Sequence, residues 1–119
     1  MKIQKTNPTI VELIESLRRL AYENKARIWK DLSKRLSRGT RRIPAVNVGS
    51  ISSHTSPNDQ VVVPGKVLGM GQIDHPVTVA SLSFSEKARE KITKAGGECI
   101  GLLELVQRNP RGSKVKIIS

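Results

Sequence analysis

Cysteine is nearly missing from this sequence. Cys99 stands alone, which excludes an internal disulfide framework and leaves too few sulfur ligands for a zinc site. A reducing, cytosolic setting fits that usage. Aromatic side chains are almost as scarce: Tyr22, Trp29 and Phe84 make up 3% of the chain, so the core is expected to be aliphatic. Three rings also argue against a stacking platform for single-stranded nucleic acid. Long apolar runs are absent too. Glu12, Glu15, Arg18 and Arg19 interrupt the apolar period near the start. No stretch there approaches the roughly 20 residues that cross a bilayer, and no signal peptide is expected. Acidic residues are the last shortage, with 10 Asp and Glu facing 21 Lys and Arg for a formal net charge of +11.

That imbalance is the most informative total. Self-repulsion of this size opposes compaction unless a polyanion neutralises it, which points to a nucleic acid or an anionic surface as partner. Arg and Lys occur about equally. Arg makes planar, bidentate phosphate contacts that Lys cannot, and its abundance favours nucleic acid over lipid. A chain of 119 residues suits one compact domain. Its charge leans toward the first half, with 12 basic and 5 acidic residues over positions 1–59 against 9 and 5 over positions 60–119.

Pro8 suits the first position of a helix capped by Thr6 or Asn7, and Val11, Ile14 and Leu17 continue an apolar stripe at helical spacing. Residues 22–25 are expected to turn the chain into a second helix, where Ala26, Trp29, Leu32, Ser33 and Leu36 repeat the period. Gly39 and Pro44 then break the pattern into a basic, extended loop. Val46, Val48 and Ile51 suggest a short strand or edge segment, followed by a turn-rich connection. A strand over 60–63 is expected to stop at Pro64 and Gly65. The β-branched alternation of 77–84 gives another strand. Ser83 or Ser85 can cap the helix that follows, and Ser83 stands three before Glu86 as in a capping box. That helix, 86–95, ends at Gly96 and Gly97. Residues 98–101 return as a strand, completing a strand–helix–strand unit over a parallel pair. A short helix over 102–108 and a strand over 115–118 finish the chain. The expected class is α/β, a single domain over 1–119 with a helical, strongly basic first part to about 45 and an α/β part over about 46–119.

The chemistry concentrates in residues 25–42. Lys25, Arg27, Lys30, Lys34, Arg35, Arg38, Arg41 and Arg42 share that stretch with one acid, Asp31. Arg27, Lys30 and Lys34 fall on neighbouring helical turns, and the arginines beyond them extend the charge, an arrangement suited to phosphate. A merely solvated helix face is the bland alternative, disfavoured by the charge of the whole chain. The stretch VVVPGKVLGMG at 61–71 lacks the glycine spacing and following Ser or Thr of a P-loop, and the third glycine of a dinucleotide fingerprint. A shaped RNA-facing loop and a plain structural turn both remain open for it. Adjacent Asp74 and His75 point apart in an extended segment. His54, His75 and Cys99 have no metal-ligand pattern, and the serines of 77–86 form no nucleophile elbow. Trp29 could stack on a base, but its place on the apolar stripe favours the core.

Ordered motifs along nearly the whole chain carry a resemblance. They are Asn7-Pro8 with its helix, IWKDLSKRL at 28–36, VNVGSI at 46–51, VVVPGKVLGMG at 61–71, VTVASLSFSEKAREKI at 77–92, AGGE at 95–98 and NPRGSKVKI at 109–117. The chain resembles the large-subunit ribosomal protein family eighteen-e of archaea and eukaryotes, related to bacterial large-subunit protein fifteen. The resemblance implies an irregular layered mixed sheet with flanking helices. It also implies large-subunit ribosomal RNA and neighbouring large-subunit proteins as partners in the cytoplasmic ribosome. No catalysis, cofactor, metal, membrane or small-molecule substrate comes with it. By motif position it adds Asn47, Gly65, Lys66, Gly69, Gly71, Arg111 and Lys114 as RNA-binding positions. The compact archaeal form is expected, without the longer basic extensions of eukaryotic members. The alternative is an independent RNA-binding or RNA-chaperone module, which would share the charge without sedimenting with ribosomal subunits.

Overall fold

Two helices joined by only two residues take up the first part of the chain, α1 (Pro8–Asn24) and α2 (Arg27–Arg38). The computed structural model describes residues 8–38 and 45–118. The expected cap at Thr6 or Asn7 and the loop carrying Arg41 and Arg42 lie outside these residues. The α/β part follows as β1 (Ala45–Asn47), α3 (Val48–Ser53), β2 (Asp59–Leu68), β3 (Val77–Phe84), α4 (Glu86–Lys94), β4 (Glu98–Gly101), α5 (Leu102–Arg108) and β5 (Val115–Ile117).

The sheet runs β1-β2-β3-β4, and β5 also pairs with β2. The α/β class with flanking helices is as expected. The pairing is more uniform than a mixed sheet, because each of the four described pairings is parallel. β5 pairs with residues 60–62 of β2 and β1 with residues 66–68, so the two follow one another along β2. Helices cover both faces, which explains the unbroken valines of β2: successive residues point to opposite sides, and both sides are core. Val62 and Ala80 face Leu17 and Ala21 of α1, Trp29, Leu32 and Leu36 of α2, and Leu105 of α5. Val61, Val63 and Val79 face Val48 and Ile51 of α3 and Ala88 and Ile92 of α4. Each fully buried Val, Leu or Ile side chain contributes roughly 1.5–3 kcal/mol, so the two aliphatic layers supply most of the driving force.

Two local expectations are corrected, and one open choice is decided. Pro64 and Gly65 do not stop β2; the strand continues to Leu68 through a register shift between Val63 and Lys66. The bulge accommodates a residue with no N–H, and the buried Ser81 hydroxyl donates to the Gly65 carbonyl at 2.6 Å. Val48 and Ile51 belong to the one-and-a-half turns of α3 and not to a strand; three residues apart, both are buried on one side. Ser85, not Ser83, caps α4, its hydroxyl accepting from the Ala88 N–H at 3.2 Å.

Candidate nucleic-acid interface

On α2 the apolar stripe is met by a basic one. Trp29, Leu32, Ser33 and Leu36 are buried, while Arg27, Lys30, Lys34 and Arg35 are exposed on the other side. Asp31 lies 3.5 Å from Arg35 at helical spacing. No ion pair within the described residues engages Arg27, Lys30 or Lys34. Their charge is therefore available to an external anion.

The two-residue corner before α2 is a Schellman turn. The Ala26 N–H donates to the Ala21 carbonyl at 2.9 Å and the Lys25 N–H to the Tyr22 carbonyl at 3.3 Å, and both alanines are buried. Lys25 holds the left-handed position of this turn at φ 52. Glycine is the usual occupant, and a side chain there costs about 1–2 kcal/mol. Lys25 is exposed.

Distant sequence is brought against the same helix. The Trp29 indole donates to the Pro110 carbonyl at 2.6 Å. Gly112, at φ 67, lies so close to Ile28 that a Cβ would overlap its side chain. The turn is closed internally: the Asn109 amide donates to Gln60 Oε1 at 2.9 Å and to the Ser113 carbonyl at 3.0 Å. Arg111 and Lys114 are left exposed, and Lys114 is a second lysine in the left-handed region, at φ 62. The structure thus docks the turn that carries Arg111 and Lys114 onto α2, although more than 70 residues separate them from Lys34.

Asn47, Lys66 and the glycines sit elsewhere, around the C-terminal ends of β1 and β2. Gly65 is buried. A Cβ on Gly69 would fall 2.6 Å from Lys87 Cβ, and one on Gly71, at φ 90, would fall 2.7 Å from Gly49 Cα. The Lys91 ammonium donates to the carbonyls of Gly69 and Gly71 at 2.7 and 2.6 Å. Gly49 N–H donates to the Met70 carbonyl at 3.0 Å, and the Met70 N–H donates to Asn47 Oδ1 at 3.3 Å. Packing within the chain accounts for these conformations. Lys66 is exposed at the end of the strand.

Among the described residues no reactive constellation is assembled. Contrary to the expectation that they point apart, Asp74 and His75 turn toward each other: His75 is held between Asp74 Oδ1 at 2.9 Å and the Thr55 hydroxyl at 2.8 Å, a link between two loops. Burial pushes the Cys99 thiol up, away from the thiolate. Among the described residues no group of three His, Cys, Asp or Glu could hold a metal ion, and no helix is long and apolar enough to cross a membrane.

Sequence reasoning passed over two residues of α1. Tyr22, assigned to a turn, stands on the last helical turn with 86% of its surface exposed, and Arg18 is exposed one turn before it. Their positions off the apolar stripe were the available signal.

The family described as Ribosomal protein 60S L18 and 50S L18e matches residues 1–119. The chain is 50% identical over 117 residues to large ribosomal subunit protein eL18 of Methanothermobacter thermautotrophicus, covering 98% of this chain and 97% of that one. It is 47% identical over 116 residues to the eL18 of Archaeoglobus fulgidus, covering 98% and 99%. With the eL18 of Methanococcus maripaludis the identity is 46% over 118 residues, covering 99% and 98%.

Proposed function

Because the chain belongs to the family of ribosomal protein 60S L18 and 50S L18e, and so is a structural protein of the large ribosomal subunit and not an enzyme, we propose that it clamps folded large-subunit ribosomal RNA. The contacts come from α2, the α1–α2 corner and the 109–114 turn. One observation carries this reading: α2 keeps Arg27, Lys30 and Lys34 exposed and without an ion pair among the described residues, and the turn bearing the exposed Arg111 and Lys114 is docked on the same helix through Trp29 and Pro110. Packed RNA helices repel one another, and fixed cations between them lower that repulsion while selecting one arrangement. Arg35, Arg38, Arg41 and Arg42 continue the same charge along the sequence, and Asn47, Lys66, Gly69 and Gly71 form a second contact region. Neighbouring ribosomal proteins complete the surroundings.

Sedimentation of cell extract through a gradient tests the assignment, with the protein expected in the large-subunit fraction. Its absence there would favour a free RNA-binding or chaperone module. Changing Lys30, Lys34 and Arg111 together to Ala tests the interface. Each phosphate contact contributes about 0.7–0.9 to the salt slope of binding, so the slope should fall by roughly 2–3. An unchanged slope would sink this placement of the contacts.

A further inference from the structure

The α1–α2 corner offers more than charge. Arg18, Tyr22, Lys25, Arg27 and Lys30 line an open groove of ≈740 Å³ that also includes Ala21 and Ala26. Both alanines are buried and form its apolar floor, and Glu23 is the one acid beside it. The volume falls within the roughly 300–1,000 Å³ of small-ligand clefts. We propose that this groove holds one unstacked nucleotide of RNA, its base against the Tyr22 ring and its adjoining phosphates on Lys25, Arg27 and Lys30. The inference rests on the RNA-binding reading above and adds a base contact to it.

Three independent observations converge. First, the Tyr22 ring is 86% exposed although the chain has only three aromatics, so the fold does not use it for packing. Second, Arg18, Lys25, Arg27 and Lys30 line the same groove as Tyr22 with Glu23 the single acid among its lining residues, so an apolar ring and concentrated positive charge share one cleft, the complement of a base and its phosphates. Third, Lys25 keeps a charged side chain at a left-handed position where glycine would relieve strain. Strain retained at one residue is explained when the side chain serves a contact. A paired duplex buries its base faces in its own stack, so the nucleotide belongs to a loop or bulge.

The test uses the full chain, an archaeal large-subunit ribosomal RNA transcript, and two variants whose effects differ in kind. Tyr22→Leu keeps apolar bulk but removes the ring; affinity should fall about 5- to 100-fold, the range of one base–aromatic stack, at an unchanged salt slope. Lys25→Gly should raise the melting temperature, because it removes the left-handed strain, while weakening RNA binding and flattening the salt slope by about one. Stability and affinity moving in opposite directions is a result that a purely structural corner cannot give. If both variants bind as the wild type while Lys30, Lys34 and Arg111 together remain necessary, the groove is not a nucleotide site and the RNA-binding reading stands. If the variants bind RNA normally but fail to enter large subunits, a protein neighbour fills the groove and the proposal is overturned. Failure of the wild type to bind the transcript would overturn both.

Discussion

The indole Nε1 of Trp29 donates to the carbonyl oxygen of Pro110 at 2.6 Å, across 81 positions of sequence. Trp29 is fully buried on the stripe of α2, and its one polar atom meets the turn that carries Arg111. The ring that fills the core therefore also sets where a surface arginine stands. Trp29→Phe keeps most of the packing and removes the donor, leaving the Pro110 carbonyl without this partner. Pro110 is exposed, so water can take the donor's place and the loss costs about 0.5–1.5 kcal/mol, which denaturant unfolding should show as a lower midpoint at unchanged slope. A midpoint equal to the wild type would mean that Gly112 and Asn109 hold the turn without the indole.

A second prediction separates internal from external use of a lysine. Lys91 donates to the carbonyls of Gly69 and Gly71 and so pins the 69–72 loop to α4. Lys91→Met keeps the apolar stem but removes both hydrogen bonds; it should destabilise the fold by about 1–3 kcal/mol. Lys94, exposed and without an ion pair among the described residues, should tolerate the same change within about 0.5 kcal/mol. The salt slope of RNA binding should be unaltered by Lys91→Met. A slope reduced by one would place Lys91 on the RNA instead.

The contrast between these lysines shows what a one-dimensional reading can and cannot reach. Periodicity located α1, α2, β3, α4 and α5, because each is amphipathic or β-branched over its own length, and β4 followed from the glycines that end α4. It placed Trp29 in the core for the same reason. It failed at Val48 and Ile51, where two buried residues fit both a strand edge and a single helical turn, and tertiary contact with α4 and β2 decides. It failed at Pro64, because a bulge satisfied from Ser81 is a long-range event. The choice between Ser83 and Ser85 turned on a shift of two residues, which spacing alone does not resolve. Of the candidate site, the α2 cations were visible as a charge run. The docking of the Arg111–Lys114 turn on the same helix was not, since it depends on a contact spanning 81 residues.

Acid should loosen one edge of the sheet before the rest. The Asp59 carboxylate, at the start of β2, is held below its ordinary 3.8 first by the Ser56 N–H and then by the Lys116 ammonium, 3.0 Å away on β5. Glu98 is held below its ordinary 4.5 by Arg108, 2.9 Å away. Both pKa values are lower in the folded chain than in the unfolded one. Their contributions are therefore complete above the unfolded values and are lost as pH falls through the lower, folded values. Denaturant midpoints should be level from pH 7 to about 5 and decline beneath that. Asp59→Asn can still accept from Ser56 but cannot titrate, so its decline should be shallower than that of the wild type. Lys116 ties β5 to β2 through this same carboxylate, and β5 is joined directly to the turn bearing Arg111 and Lys114. Protection of the amides at residues 115–117, measured against their intrinsic exchange rates, should consequently fall on acidification before protection in the β2–β3 pair does. Equal loss of protection in both pairs would show that the acid response is global and that Asp59 is not its hinge.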